Sequence, residues 1–446
     1  MKTREQILTK ERLDYVREKR EEYRNEAFEA SKAIIGKEAL KELKELYKVY
    51  DERIYIWMAG LWDPEIGAFY YSNSARDTEL YLPDIESTAQ ILSFLGSTKM
   101  LTGDKSTINL IPGKMRESII NFVLGLQDES GFFYHPQWGK DVSVSRRGRD
   151  LGWAKKILNF AGVSPRYPYP TAKRSDGTKS EYLPEYLQDI EKFKKYLTDM
   201  DLSTDSYRIG NILDSTTTQI TAAGKEFVET LLFWLAEHQR KDNGLWEEEV
   251  NYQSVNGLMK ISGCYPTFNA VLPNAYRGLE SAIKVAASDE RMKFVCEHYN
   301  PWIAMCNVFK GSQKSVAKDD TEKLRALLWE NSAELIRKTR EKIIVFKKDD
   351  GTFSYFKKMS ASLSQGSPAA VPRTNEGDVN GTCISCGSAR NMCIALGVPQ
   401  IPFFCPADGE LFLELIENAP KIVKKYKNPG GDKFPERVPY AEEIAE

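Results

Sequence analysis

The residues best suited to chemistry are concentrated in one segment, 134–149. It holds three ring side chains followed by three arginines: Tyr134, His135, Trp138, Arg146, Arg147 and Arg149. Aromatic rings stack on the apolar faces of sugars or on isoprenoid chains. Guanidinium groups donate paired hydrogen bonds to carboxylate, sulfate or phosphate. The segment is therefore a candidate binding surface for an anionic ligand.

Further candidates are spread along the chain, each near the start of a predicted helix. They are Asp84, Glu86, Asp150, Asn211, Asp214, Asn256, Lys260, Asp378 and Asn380, with Tyr252 and Tyr265 nearby. Side chains of these types can transfer protons or hold a substrate carboxylate. Aspartate is also a preferred N-cap, so Asp84 and Asp378 have a structural explanation as well.

Helices must position these residues, because apolar residues recur at helical spacing through most of the chain. In the segment 113–127, the apolar residues Met115, Ile119, Ile120 and Val123 fall on one face. Segments 225–239 and 321–346 repeat the pattern, and convincing β alternation is absent. The sequence therefore predicts an all-α protein. Its Lys/Glu-rich first 50 residues are expected to form one or two outer helices.

Four helices are followed by an acidic turn that contains a glycine and an aromatic residue. The copies read WDPEIGAFYY, QDESGFFYH, QRKDNGLWEE and KKDDGTFSYF. Glycine would supply an unusual backbone angle, and the aromatic ring would return to the core. The stretches PDIESTA and GDVNGT follow the first and last copies and are typical of buried helix starts. The pattern predicts an outer helix, a turn and an inner helix, repeated about six times.

This pattern carries a resemblance to known protein families. FWLAEHQRKDNGLW resembles the Gln-x-x-x-x-Gly-x-Trp repeat of the terpene-cyclase and prenyltransferase toroids. The same turn is similar to that of α/α-toroid carbohydrate enzymes, including uronate polysaccharide lyases and related hydrolases. The resemblance spans most of residues 50–427 and implies an (α/α) toroid of about six to seven helical hairpins. Residues 1–50 would pack on its outside, and residues 51–446 would form it as a single domain.

In such a toroid the inner helices start at the same end, so the candidates should line one cavity whose helix N-termini favour anions. The resemblance implies β-elimination at a uronic acid, for which toroid lyases use Asn, His, Tyr and Arg. Asn256 or Asn211, with an arginine, would neutralise the substrate carboxylate. The expected catalytic set is His135, Tyr252, Tyr265, Asn256 and Glu86. The expected substrate contacts are Tyr134, Trp138, Arg146, Arg147, Arg149, Asp150, Asn211, Lys260, Asp84, Asp378 and Asn380.

Three other functions remain open. PDIESTA resembles the Asp-x-Asp-Asp-Thr acid motif of class II terpene cyclases, but Glu86 stands at the middle acid and Ser87 replaces the last aspartate. A glycoside hydrolase could use two of the carboxylates of Asp84, Glu86, Asp150 and Asp378. A helical scaffold with a binding-only pocket is the non-enzyme alternative.

Composition excludes several classes of partner. The net charge of −2 lacks the basic excess that nucleic-acid binding requires. No apolar run reaches 18 residues, which argues against a membrane span. The N-terminal stretch has no apolar core of a signal peptide, so we expect a cytoplasmic protein. The expected partner is an acidic oligosaccharide, and the oligomeric state stays open.

Seven cysteines are present, an odd number that favours reduced thiols in a protein without a secretory signal. Cys383 and Cys386 form a single CxxC pair without a neighbouring histidine, so we expect buried thiols rather than a metal site. His238 and His298 are expected to be structural. No cofactor is predicted, but Asp84, Glu86, Asp150 and Asp378 could supply oxygen ligands to a divalent metal.

Overall fold

The computed structural model describes residues 2–170, 183–314 and 318–422. In these ranges the chain forms seventeen α-helices, two single 3₁₀ turns and two ribbons of two short strands each, so the all-α prediction is confirmed. The helices are α1 (Arg4–Ile7), α2 (Lys10–Tyr47), α3 (Arg53–Gly60), α4 (Asn73–Asp77), α5 (Ile85–Ser97), α6 (Gly113–Gly125), α7 (Val144–Ala161), α8 (Ile190–Thr198), α9 (Leu202–Ala223), α10 (Lys225–His238), α11 (Tyr252–Thr267), α12 (Ala275–Ala287), α13 (Cys296–Lys314), α14 (Lys318–Glu330), α15 (Ser332–Ile344), α16 (Val379–Leu396) and α17 (Pro406–Glu417). The strands are β1 (Trp62–Asp63), β2 (Ala68–Phe69), β3 (Leu363–Ser364) and β4 (Ser367–Pro368). No helix in the described ranges is both long enough and apolar enough to cross a membrane.

The first 50 residues are mainly the long helix α2, which is broken at Gly36 (φ 79°) and packs against α15 and α17. Charged side chains anchor it. The buried guanidinium of Arg20 donates to Asp408 of α17 at 3.1 Å and 2.5 Å and to Glu52 at 3.2 Å. These bonds tie the first long helix to the last helix of the described chain.

The four acidic aromatic turns share one geometry. Their glycines all have positive φ, at 82° for Gly67, 81° for Gly131, 69° for Gly244 and 86° for Gly351. The aromatic residues that follow are at most 2% exposed: Phe69, Phe133, Trp246 and Phe353. Both local predictions, the strained glycine and the buried ring, are confirmed.

Each turn also supports a neighbouring element. A side chain at Gly67 would overlap Ser118 of α6, and one at Gly244 would overlap the backbone of α12. The fourth glycine, Gly351, lies against Arg53, the first residue of α3. Only glycine permits these approaches, because any Cβ would meet the neighbour. The last turn thus packs on a helix that precedes the first turn.

The helices that follow the first and last turns begin in the same way. Asp84 caps α5, and Asp378 caps α16. Four residues on, Thr88 accepts a hydrogen bond at 3.0 Å from the backbone N–H of Phe69. Thr382 accepts the equivalent bond from Phe353 at 3.1 Å. The likeness of the two sequences therefore reflects one repeated structural unit.

Six helices contact one another in a single row, α9–α11–α13–α16–α5–α7. Close approaches show the direction of the neighbours. Gly210 of α9 lies against Lys260 of α11. Asn300 of α13 donates to Asn256 at 3.1 Å, and Asn307, further along α13, donates to Met259 O at 3.0 Å. The contacts advance along both helices, so α11 and α13 run parallel.

The other neighbours share this direction. Arg146 of α7 contacts Glu86 of α5, and Lys156 contacts Ser93 about two to three turns further on. The caps of α5 and α16 both bond to the segment 69–71, because Asp84 N donates to Phe69 O and Val379 N donates to Tyr71 O. Parallel helices present their N-termini at the same end, which is the feature that matters for the site.

Candidate functional site

Glu86 is the centre of a buried polar cluster at this end. It lies in the first turn of α5, and two arginines reach it from the first two turns of α7. Arg146 Nη1 donates to Glu86 Oε2 at 2.6 Å, and Arg149 Nη2 donates to Oε1. Ser364 Oγ and Gln90 Nε2 add bonds at 3.0 Å and 3.2 Å. Each carboxylate oxygen therefore has two donors.

Arg146 is completely buried and joins several elements. Its second terminal nitrogen binds Asp150 one turn along α7. Its guanidinium lies 5.2 Å from the centre of the Trp138 ring, and Nη1 also donates to Ser364 Oγ at 3.0 Å. The indole N–H of Trp138 donates to Pro368 O at 2.8 Å. The predicted pair Trp138 and Arg146 thus forms a wall that fastens the β3–β4 ribbon to α7.

The carboxylates of this cluster differ in protonation. Burial tends to raise the pKa of Glu86, but Arg146 and Arg149 outweigh it and hold that pKa below its usual value. Burial raises the pKa of Asp150 to about 7, although Arg146 opposes this. Burial also raises the pKa of Asp84, against its hydrogen bonds to Ser87. One carboxylate is firmly ionised, while Asp150 can exchange a proton near neutral pH.

Arg149 lies at the exposed edge of this cluster. Its side chain is 40% exposed, whereas that of Glu86 is 5% exposed. Within the described residues Glu86 is its one hydrogen-bond partner, which leaves other guanidinium donors for a ligand. The positive charge of Arg149 also tends to lower the pKa of Tyr207 on α9 and the pKa of Cys296 on α13.

Lys260 of α11 lies near Cys296 as Arg149 does. Its ammonium donates to Asp214 Oδ2 at 3.2 Å. Its positive charge, like that of Arg149, tends to lower the pKa of the Cys296 thiol. Burial nevertheless raises the pKa of Cys296 to about 11, so the thiol is protonated and donates to Tyr355 OH at 3.6 Å. We call Arg149, Tyr207, Lys260, Cys296 and Tyr355 the inner cluster. Apart from the exposed Arg149, its members are half-buried.

Two predicted amides border the inner cluster. Asn211 lies one turn after Tyr207 on α9 and hydrogen-bonds to it. Burial raises the pKa of Tyr207. The bond from Asn211 and the charge of Arg149 oppose this rise. Asn380 accepts a bond at 3.1 Å from Gln90, which in turn binds Glu86. Five helices therefore supply the predicted residues Glu86, Arg149, Asn211, Lys260 and Asn380 to one region.

His135 lies apart from this region. Its Nε2 is 2.9 Å from Pro83 O, and its Nδ1 accepts a bond from the Gln137 backbone at 3.3 Å. The ring packs on Trp138 with centres 4.3 Å apart. Burial lowers the pKa of His135 to about 4, so both nitrogens are occupied in a neutral ring. In this conformation His135 supports the loop, and neither ring nitrogen is available for proton transfer.

The neighbouring predicted contacts also face outwards. Lys140 lies over the ring of Tyr134, with 5.5 Å between the ammonium and the ring centre. Arg147 lies over Phe132 at 5.0 Å. Arg146 and Arg149 point to Glu86, but Arg147 comes from another face of the same helix. The arginine cluster of the sequence is therefore divided between two surfaces.

Three predicted residues of α11 are buried between helices. Tyr252 is 2% exposed and packs under the Lys342 ammonium, 5.2 Å from its ring centre. Tyr265 is equally buried, and neither hydroxyl has a hydrogen-bond partner within the described residues. Asn256 is 2% exposed and accepts from Asn300. None of the three faces the inner cluster as a proton donor or acceptor would.

Asp84 and Asp378 act as helix caps. Asp84 accepts from Ser87 N at 2.9 Å and from its hydroxyl at 2.6 Å. Asp378 accepts from Gly381 N and Tyr355 N, both at 2.7 Å, and from Tyr71 OH at 3.0 Å. Burial raises the pKa of Asp378 to about 6 in spite of these donors. The hydrogen bonds that Asp84 and Asp378 accept from the first turns of α5 and α16 explain why aspartate stands at both helix starts.

Sequence reasoning missed three members of the inner cluster: Tyr207, Cys296 and Tyr355. Tyr207 could have been found, because it precedes Asn211 by one helical turn and shares its face. Tyr355 follows an aromatic turn as Tyr71 does, so the repeat gave a signal. Cys296 had no such signal, since CEHYNPW was not identified as the start of an inner helix. Among the described residues, no group of three or more His, Cys, Asp or Glu side chains is placed to hold a metal ion.

The arrangement can hold an anion and move a proton. Arg149 and Lys260 supply positive charge, Asn211 supplies an amide, and Tyr207 supplies a hydroxyl beside Arg149. Arg146 and Arg149 hold the pKa of Glu86 below its usual value against the effect of burial, which disfavours the protonated acid that the cyclase alternative requires. Comparison with known proteins gives no guide to the reaction: no protein family, no curated protein and no solved structure matches the chain.

Proposed function

We propose that the protein is an enzyme that cleaves an acidic oligosaccharide by β-elimination at a uronic acid. Its architecture is proposed to be an (α/α) toroid in which the row of parallel helices forms the inner ring. The observation that carries the proposal is that the charge of Arg149 acts on Tyr207, and that Arg149 and Lys260 both act on Cys296. The electrostatic proximity of Arg149 on α7 to Tyr207 on α9 supports the ring, because these helices are the two ends of the row.

Elimination begins with the substrate carboxylate. A base removes the proton from the carbon that bears this carboxylate, and the extra charge spreads onto the carboxylate oxygens. Arg149 would bind those oxygens with the donors that Glu86 leaves available, and Asn211 would add an amide. Arg149 is held for this by the buried carboxylate of Glu86, which limits the motion of the guanidinium.

The proton transfers fall to tyrosine in this proposal. Tyr207 would take the proton as the tyrosinate. Burial raises the pKa of Tyr207, and Arg149 opposes that rise, so the lyase activity should increase with pH. The bond from the next carbon to the glycosidic oxygen then breaks, a carbon–carbon double bond forms, and the leaving oxygen takes up a proton. Lys260, whose charge also acts on Cys296, would donate that proton from its ammonium group.

The test is incubation with uronate oligosaccharides while the far-UV absorbance of the new double bond is followed. Arg149→Ala should lower kcat/KM about tenfold to hundredfold, as expected for a lost charge-assisted hydrogen bond. Tyr207→Phe should lower kcat by roughly a hundredfold or more through the missing base. Arg147→Ala is the matched control on the same helix and should leave activity unchanged, because Arg147 stacks on Phe132.

Two results would contradict the lyase proposal. The first is no absorbance with any uronate substrate, and the second is equal activity of the Arg147 and Arg149 variants. Turnover of a prenyl diphosphate or a squalene-like substrate would exclude a carbohydrate enzyme altogether.

A glycoside hydrolase is the second candidate, on one observation. Burial raises the pKa of Asp150 to about 7, while the nearby Glu86 stays ionised. A protonated carboxyl beside an ionised one is the pair that hydrolysis needs. The hydrolase ranks second because both side chains are only 5% exposed. Release of reducing ends without double-bond absorbance, lost in Asp150→Asn, would favour it.

A further inference from the structure

A second group of cations lies further along the inner helices, away from Glu86. Lys156 follows Arg149 by seven residues on α7, which is two turns or about 10 Å along the helix. Its ammonium donates to Ser93 Oγ of α5 at 3.2 Å and lies 5.0 Å from the Trp153 ring centre. Arg390 occupies the corresponding part of α16, the other neighbour of α5.

Lys156 and Arg390 stand on the two helices that flank α5, and Lys156 contacts α5 directly. Burial lowers the pKa of Lys156, and the charge of Arg390 lowers it further. Neither side chain has a carboxylate partner among the described ion pairs. Arg390 Nε is buried and has no hydrogen-bond partner in the described chain. A guanidinium N–H left in that state is costly unless a ligand or water satisfies it.

The sequence explains why no carboxylate compensates them. After their first two turns, α5, α7, α11, α13 and α16 contain no aspartate or glutamate. On α9 the acid further along is Asp214, which is paired with Lys260. Nor do the cations bind helix ends, because no backbone carbonyl accepts from either side chain within the described ranges. Positive charge is thus concentrated where the inner helices of the described chain supply no unpaired carboxylate.

We propose that Lys156 and Arg390 form a second anion-binding site, which takes another acidic group of the same oligosaccharide. Its identity as a substrate subsite rests on the proposed function, whereas its affinity for anions does not. Ser93 would add a hydroxyl and Trp153 an aromatic face, the pairing expected for a charged sugar. An elongated substrate would then span Arg149 at one level and Arg390 about two to three turns deeper.

The first experiment measures binding of inorganic sulfate, at constant ionic strength with chloride as the reference salt. It uses the full chain carrying Arg149→Ala, so that the first anion site does not contribute. The unfolding midpoint should rise with sulfate concentration, because the folded state alone binds the ion. Adding Arg390→Gln or Lys156→Gln should weaken apparent binding about tenfold or more.

Lys155→Gln is the matched control, since Lys155 adjoins Lys156 but lies over Tyr169 at 5.4 Å. It removes the same charge and should leave the sulfate effect unchanged. The proposal is overturned if Arg390→Gln and Lys156→Gln respond to sulfate as the Arg149→Ala parent does. It is also overturned if Lys155→Gln loses as much of the response as they do, because the effect would then be general charge screening.

The second experiment tests the substrate role in the otherwise unchanged chain. Arg390→Gln should raise KM for longer uronate oligosaccharides about tenfold and leave kcat and the cleavage of the shortest substrate unaltered. Equal effects on short and long substrates would refute a second subsite. If sulfate binds as expected but no uronate is cleaved, the anion site stands and the proposed lyase function fails.

Discussion

Replacement of Glu86 by glutamine probes the cluster that holds Arg149. The amide keeps the shape of the side chain but removes the charge that two arginines share. Arg146 is completely buried, so it would be left with Asp150 as its one ionisable partner. Loss of one member of a buried ion pair typically costs 3–5 kcal/mol, and we expect about 4 kcal/mol here.

The assay is denaturant unfolding at pH 7, with the change in midpoint converted through the slope of the transition. Glu65→Gln is the matched control, because Glu65 pairs with Lys421 where both side chains are more than half exposed. Such a pair contributes about 0–1 kcal/mol. The reasoning is refuted if Glu86→Gln loses no more stability than Glu65→Gln.

Three further predictions concern other parts of the molecule. Burial raises the pKa of Glu297 to about 7, so stability should fall as pH rises from about 4.3, the unfolded value, to 7. Glu297→Gln should flatten that slope in unfolding experiments, and an unchanged slope would assign it to other groups. Gly244→Ala should cost at least about 2 kcal/mol, because its φ is 69° and a methyl would overlap Gly278. Gly152→Ala, inside α7 with open space around it, should instead stabilise by roughly 1 kcal/mol, and equal effects would contradict the argument. Thr382→Val should cost about 1–3 kcal/mol by leaving a buried backbone N–H unsatisfied, with amide exchange of that N–H as the direct measurement.

The aromatic turns were predictable because their signals are local. A positive φ demands glycine, and a buried ring demands an apolar environment wherever the turn occurs. The likeness of the Asp84 and Asp378 segments also predicted a shared structure, since the cap and the threonine lie within one helical turn.

Helix starts were predicted less well. The sequence placed Arg149 and Asp150 at the start of a helix, but α7 begins at Val144, and Ser143 is its cap. The helix expected to start near Asn211 begins at Leu202. Polar residues that face a cavity resemble caps, because both interrupt an apolar pattern. The predicted starts are therefore wrong by about one and a half to two and a half turns, yet the side chains still reach the same region.

Tertiary contacts were beyond the reach of the sequence. The role of His135 depends on the carbonyl of Pro83, 52 residues earlier in the chain. Tyr252 and Tyr265 were expected in the loop after the third turn, but both belong to helix α11 and are buried among its neighbours. In a helix that is apolar on all sides, the neighbouring helices decide which face points inward. The periodicity of the sequence does not identify those neighbours.

The bond between Arg20 and Asp408 has a consequence for how the chain folds. The two residues are 388 positions apart, and Lys2 N similarly donates to Asn418 Oδ1 at 2.7 Å. On a ribosome, helix α2 must therefore wait for almost all of the described chain before its buried charges are paired. Such non-local closure is slow, and the interval leaves arginines and apolar surface exposed. We expect the early helices to be the part of the nascent protein most in need of a chaperone.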